Sequence, residues 1–351
     1  MVDKNWLKKQ AEKVRKVDYI APALYRKYGV KRGLRNDNGT GVLGGRTTSG
    51  NVHGYVMDEG EKQPIPGELY YRGINVKDIV AADRREHRFG YEETAYLLLF
   101  GELPTAKELG DWKNTIGAYR KLSEGFRDNA IMKYPSKNLM NALARAVLFA
   151  YAFDPEENPD DISLEKCLEQ SIDLIGSIPT IAAYAYQAKA HYHDGASLMI
   201  RNPDPKKSTS ENILMLTRED GRYTKLEAET LDLALIIHAE HGGGNNSSFT
   251  THVVTSSHSD IYSSVAASVL SLKGSRHGGA NLRVMKQIDE IKANVKDWHK
   301  SENVIKYLEK IADKKAGDRT GLIYGLGHAV YTISDPRAQM LKAKAEALAK
   351  E

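Results

Sequence analysis

TKLEAETLDLALIIHAEHGGGNNSSF, residues 224–249, is the stretch whose reading decides the fold. Thr224 and Glu227 have the spacing of a capping box, in which each side chain satisfies a backbone N–H of the other's turn. An apolar-periodic run over 226–238 follows, so a helix is expected there. Gly242, Gly243 and Gly244 cannot continue it cheaply, and Asn246 or Ser247 can cap a following helix. His241 is therefore expected at a helix C-terminus, facing an open turn, where the dipole favours a protonated imidazole and suits an anion or a polarised carbonyl.

The same grammar recurs along the chain. YEETAYLLLF, Tyr91–Phe100, reads as a buried helix with Gly101 as its C-cap. Pro104 breaks the chain, and Thr105 with Glu108 opens the next helix; Ser208 with Glu211 forms a third box. Strand signals are confined to residues 50–72, where GYVMDEG and GELYYRG can pair. Residues 154–161 (DPEENPDD) and 202–207 (NPDPKK) read as loops. The expected class is all-α, with at most a small β-hairpin near residues 50–72.

The 351 residues, 41% of them hydrophobic, suit a globular chain with a real core. A net charge of +4 with both signs interspersed gives little support for nucleic-acid binding. The single cysteine, Cys167, can make neither an internal disulfide nor a metal cluster and points to a reducing compartment. No apolar run is long enough to span a membrane. The opening MVDKNWLKKQAEKVRKVDY is amphipathic and basic, but Asp3, Glu12 and Asp18 argue against a transit peptide. It is read as an ordinary first helix of a cytoplasmic protein.

Three glycine-rich segments each hold a histidine. The first contains His241 and Asn245. A zinc reading of His238, Glu240 and His241 lacks a third ligand at metalloprotease spacing. The second, KGSRHGGAN (residues 273–281), sets His277 in a turn before a helix whose expected inner face is Val284, Met285, Ile288 and Ile291. Its glycines let a ligand approach the backbone, and the turn can fix the ring tautomer. The third, GLGHAVYTISDPRA (residues 325–338), places Gly325 and Gly327 before His328. GLGH lacks the strand and third glycine of a dinucleotide fingerprint. Asp335 and Pro336 suit an N-cap and first helical position. Arg337 then lies in the first turn, where guanidinium and free amides can hold a carboxylate. His53, His87, His191, His193, His252, His258 and His299 have no such setting. With no GxSxG elbow and no P-loop, the residues point to a pocket for a small polyanion, with histidines as acids and polarisers.

Five segments in this order resemble the citrate synthase family: GELYYRGINVKDIV, YEETAYLLLFGELPT, HAEHGGGNNSSF, KGSRHGGAN and GLGHAVYTISDPRA. The resemblance implies a two-domain helical fold, a large domain over residues 1–276 and a small one over 277–351, both incomplete, in a homodimer. It implies condensation of acetyl-CoA with oxaloacetate and hydrolysis of the thioester to citrate, with no permanently bound cofactor and acetyl-CoA as co-substrate. His277 would donate a proton to the thioester carbonyl as its enol forms. His328 would polarise the oxaloacetate ketone and protonate the alkoxide. His241, Asn245 and Arg337 would bind oxaloacetate, and Gly325 and Gly327 would meet CoA through their backbone.

Departures from the family pattern bear on that expectation. The family's base is an aspartate in a V-D-x-x-x-G segment downstream of the DPRA helix, and residues 1–351 contain no match. Asp318 and Asp335 do not fit the motif, so this chain alone is expected to turn over poorly. Gly242 replaces a usual glutamate, and Thr332 stands where some members place an arginine for CoA phosphates. Use of propionyl-CoA, giving 2-methylcitrate, is the alternative reaction, since one methylene changes discrimination by only about 1–3 kcal/mol. A non-catalytic protein that binds oxaloacetate or CoA is the alternative from another class.

Overall fold

The computed structural model describes residues 21–27, 29, 47–59, 61–155, 158, 160–275, 277–327 and 330–351. The chain divides into two compact units, residues 1–46 and 47–351. The first contributes a short helix, α1 (Pro22–Lys27). The expected helix near the start of the chain, and His328, lie outside the described residues.

The second unit opens with the hairpin, β1 (Gly50–Asp58) and β2 (Glu61–Tyr71), antiparallel with Gly50 opposite Tyr71. A bulge shifts the register between His53 and Tyr55. The short β3 (Ile74–Asn75) extends the sheet along β2. Everything after it is helical: α2 (Val76–Glu86), α3 (Tyr91–Phe100), α4 (Ala106–Tyr119), a π-helical turn (Arg127–Met132), α5 (Leu139–Ala150) and the long α6 (Leu164–Asp194). Then come α7 (Thr209–Thr217), α8 (Lys225–His238), α9 (Asn246–Thr255), α10 (Ile261–Leu272), α11 (Ala280–Asn294), α12 (Ser301–Ala312) and α13 (Pro336–Leu348). The architecture is the expected helical one with a small hairpin.

The terminators act as the sequence chemistry requires. All three capping boxes close, at Thr105/Glu108, Ser208/Glu211 and Thr224/Glu227. Gly101 ends α3 at φ +93°, a conformation glycine adopts without steric cost. One expected cap moves: Asn245, rather than Asn246 or Ser247, caps α9, its Oδ1 accepting from the N–H of Ser247 (2.8 Å) and Ser248 (3.3 Å). The inner face of α11 is also corrected. Met285 and Ile288 are exposed. Gln287 is buried instead, accepting from Tyr324 N–H (3.0 Å) and donating to the Leu322 carbonyl (3.2 Å). The 322–324 segment brings backbone polar groups against this face, and a side-chain amide satisfies them where an aliphatic one could not.

Apolar burial falls into two clusters. One joins α5, α6 and α10 around Ile181, Val147, Leu174 and Tyr262. The other packs Leu69 and Tyr71 of β2 against Val76, Ile79 and Leu97, the α8 residues Leu233, Ile236 and Ile237, and Met340 and Leu341 of α13. This second cluster supports the histidine segments.

Buried charges tie the helices together. Glu92 on α3 and Arg120 at the end of α4 are almost wholly buried. Glu92 Oε1 accepts from Arg120 Nη2 (3.1 Å), Thr209 N–H (2.7 Å) and Thr209 Oγ1 (2.9 Å). Removing one partner leaves an uncompensated buried charge, a loss of about 3–5 kcal/mol. Glu92→Ala is therefore expected to lower the unfolding free energy from denaturant titration by an amount in that range, and a change below about 1 kcal/mol would refute the role.

Asp232 of α8 accepts from Gly90 N–H at 2.8 Å, ahead of α3. Burial pushes its pKa up to about 7, and burial likewise raises the neighbouring Asp83, paired with Arg88 at 3.1 Å, to about 6. A carboxyl whose folded pKa exceeds the unfolded value of about 3.9 is favoured by folding in its protonated form. Stability from this pair should thus be full below about pH 4 and lost as pH rises to about 7. Asp232→Asn keeps an acceptor for Gly90 and should flatten that slope in urea titrations. An unchanged slope would count against it.

Candidate active site

The site grows from the end of α8. Tyr71, fully buried on β2, donates its hydroxyl to the Ile236 carbonyl (2.8 Å) and accepts from Glu240 N–H (3.4 Å). Glu240 in turn takes the N–H of Gly242. These bonds fix the turn that carries His241, whose ring stands edge-on to Tyr331 with centroids 6.2 Å apart. Tyr331 is 4% exposed and donates to the Glu68 carbonyl (3.0 Å). Burial pushes its phenol up to about 12, so it stays neutral.

Residues 330–334 reach this position because the hairpin makes room for them. A Cβ on Gly67 would lie 2.1 Å from the Ser334 carbonyl oxygen, and one on Gly54 would lie 2.6 Å from that of Val330. Gly67 N–H also donates to Ser334 Oγ (3.2 Å). Backbone lies on backbone here, and no other residue type fits without displacement.

Asp335 caps α13 as expected, accepting from Arg337 N–H (2.9 Å), with Pro336 in the first turn. Its carboxylate also grips the Arg337 guanidinium through Nε (3.0 Å) and Nη2 (2.7 Å). The guanidinium lies over Tyr331, 5.6 Å from the ring centre. Burial opposes its charge, but the Asp335 hydrogen bonds outweigh it and raise the pKa further. Nη1 makes no hydrogen bond among the described residues and is left for a further acceptor. His241 and Arg337 thus both lie against Tyr331, with the guanidinium charge shared with Asp335.

His277 comes to the other end of the same glycine turn. Its Nε2 lies 2.9 Å from Ser247 Oγ, in the first turn of α9. Asn246 Nδ2 donates to Ser271 Oγ (2.7 Å), and Ser268 Oγ donates to the Ser247 carbonyl (3.2 Å), so hydroxyls stitch α9 to α10. The His277 turn is closed by Gly278 N–H on the Leu272 carbonyl (2.9 Å), and a Cβ on Gly278 would meet that oxygen at 2.5 Å. Asn245 spends its oxygen on the α9 cap, and its amide nitrogen makes no hydrogen bond among the described residues.

Gly325 and Gly327 have φ of +90° and +88°. Gly327 has open space where a Cβ would point, and Leu326 between them is 73% exposed, so this loop offers backbone to solvent. Neither aspartate set aside as a base is idle. Asp335 is committed as above, and Asp318 accepts from Thr320 and Tyr324.

The histidines, Asn245 and Arg337 were visible as glycine-flanked or capped residues. Ser247, Tyr331 and Tyr71 were missed as site residues. Ser247 looked like a cap, and the tyrosines like core. The alternation in GELYYRG was a usable signal for Tyr71, since it turns one of the two tyrosines inward.

A model for "Citrate synthase, C-terminal domain" matches residues 40–351. The citrate synthase of Haloferax volcanii is 34% identical over 288 residues, 80% of this chain and 68% of the relative. 2-Methylcitrate synthase 1 of Corynebacterium glutamicum is 30% identical over 294 residues, 82% of this chain and 69% of that one. Among solved structures, the ternary complex of carboxymethyl coenzyme A and oxaloacetate with citrate synthase from Thermoplasma acidophilum aligns with a TM-score of 0.65 at 30% identity. That alignment covers 81% of this chain and 67% of that one. The family model over most of the sequence, the relatives and the shared helical architecture agree: the chain belongs to the citrate synthase family.

Proposed function

We propose that this chain carries the oxaloacetate and acetyl-CoA chemistry of a citrate synthase. The observation that carries the reading is the His241–Tyr331–Arg337 group. In it an imidazole and a partly buried guanidinium flank one tyrosine ring, and the guanidinium, held on one edge by Asp335, has Nη1 without a hydrogen bond among the described residues, which suits a dicarboxylate. His241, Asn245 and Arg337 hold oxaloacetate. Gly325 and Gly327 present backbone to CoA.

A thioester methyl is a weak acid, so a base must act on carbon while a donor acts on oxygen. His277 is the donor. As the methyl proton leaves, the carbonyl oxygen takes a hydrogen bond or proton from the imidazole. The enol carbon then attacks the ketone of oxaloacetate, His328 protonates the new alkoxide, and water cleaves the thioester to release CoA. The base is assigned to no residue of 1–351. Ser247 is a positioning residue that orients the His277 ring through Nε2. The large and small domains are assigned to residues 1–276 and 277–351, whose closure would exclude water from the thioester. A homodimer fits the apolar side chains left exposed on packed helices, among them Leu148, Val253 and Leu270. A cytoplasmic location fits the reduced, single-cysteine composition.

The second reading, 2-methylcitrate synthesis, is favoured by the relative of that name. Release of free CoA thiol from acetyl-CoA or propionyl-CoA, with oxaloacetate present, separates the two by specificity constant. Preference for acetyl-CoA supports the first reading and preference for propionyl-CoA the second. Oxaloacetate binding with little thiol release from either agrees with a base assigned to no residue of 1–351, and failure to bind oxaloacetate would contradict both readings.

Two substitutions test the roles. Arg337→Leu removes the guanidinium charge and should raise KM for oxaloacetate roughly a hundredfold, as expected for losing charged hydrogen bonds of about 1.5–3 kcal/mol. Ser247→Ala should lower kcat roughly tenfold and shift the pH–rate profile while leaving KM for oxaloacetate unchanged. A change in KM alone would contradict the positioning role.

A further inference from the structure

A second cavity, of about 210 Å³, opens in the other core cluster, between the ends of α4 and α5, the first half of α6, and Tyr262 of α10. The proposed chemistry uses none of its residues. Its walls are aromatic: Phe126 and Phe153 line it with ring centroids 5.5 Å apart.

Its charges do not balance: Lys121 and Lys166 stand against Asp154, Glu169 and Asp173 in the lining. Lys166 and Asp154 neutralise each other, with Nζ at 2.5 Å and both side chains about 5% exposed or less. Glu169, half-exposed at the mouth, shares the same ammonium at 3.1 Å. Asp173 is left over. Its Oδ2 accepts from the Tyr262 hydroxyl (2.8 Å), and among the described residues no cation lies within ion-pair distance of it. Burial raises its pKa, and the charges of Asp154 and Glu169 add to the rise. One turn along α6, Ser177 also lines the cavity and is 4% exposed, but its Oγ is itself shielded from solvent. That hydroxyl lies close enough to Asp173 to offset the rise slightly.

A half-buried carboxylate with no counter-ion among the described residues, aromatic walls and open volume together select a ligand class. We propose that this cavity binds a small organic monocation, an ammonium or guanidinium on a short apolar stem. The charged head pairs with Asp173, and the stem lies against Phe126 and Phe153. The site is separate from the histidine group and does not depend on the reaction assigned to it.

The test is calorimetric titration of the 351-residue chain with n-butylammonium chloride, with potassium chloride at matched ionic strength as the reference. Saturable binding at one site is expected, together with a rise in Tm that potassium does not give. Asp173→Asn, which removes the charge at constant shape, should weaken binding at least tenfold. Ala150→Leu, which fills the cavity without touching a charge, should do the same, and if one variant does not fold the other decides. No saturable heat, an equal response to potassium, or retained binding in either folded variant would overturn the proposal.

Discussion

The candidate site depends on one close approach, that of the 330–334 backbone to the glycines of the hairpin. Ser334 hydrogen-bonds Gly67, and the space where a Gly67 side chain would begin is filled by the Ser334 carbonyl and the Tyr331 ring. This contact seats Tyr331 between His241 and Arg337. It also sets where α13 begins, so Arg337 leaves its cap pointing at a ring already held by Glu68. A few tenths of an ångström there matter more than any single hydrogen bond at the site, because packed interiors repack poorly.

The hairpin is rigid enough for this because its inner face is part of a core. Leu69 and Tyr71 are fully buried against α8, and the Tyr71 hydroxyl binds the last turns of that helix directly. The strand that holds the 330–334 segment thus also holds the turn carrying His241. Two ends of the site are fixed by one element, while His277 is fixed separately by the α9–α10 pair through Ser247. His277 meets the Ser247 hydroxyl, His241 stands edge-on to the Tyr331 ring, and Arg337 is engaged on one edge by Asp335.

Local chemistry was legible and long-range chemistry was not. Thr105, Ser208 and Thr224 announced their helices because a cap involves residues only three apart. Asp335 and Pro336 did the same for α13. The cap at Asn245 was misplaced by a residue or two, since three adjacent polar residues can all cap and only the fold chooses among them. Met285 and Ile288 were assigned inward on periodicity, but the polar backbone of 322–324 made Gln287 the better inner residue. Tyr331, Tyr71 and the Glu92–Arg120 pair depend on partners far away in sequence, and no spacing rule reports those.

Hairpin glycines set the affinity of the anion site through the backbone that packs on them. Calorimetric titration of oxaloacetate into the chain and into Gly67→Val tests it most directly, with circular dichroism confirming that both are folded. The account predicts saturable binding to the unaltered chain and at least tenfold weaker binding to the variant, because a side chain at Gly67 displaces Tyr331 and with it Arg337. Equal affinity in two folded proteins would contradict it.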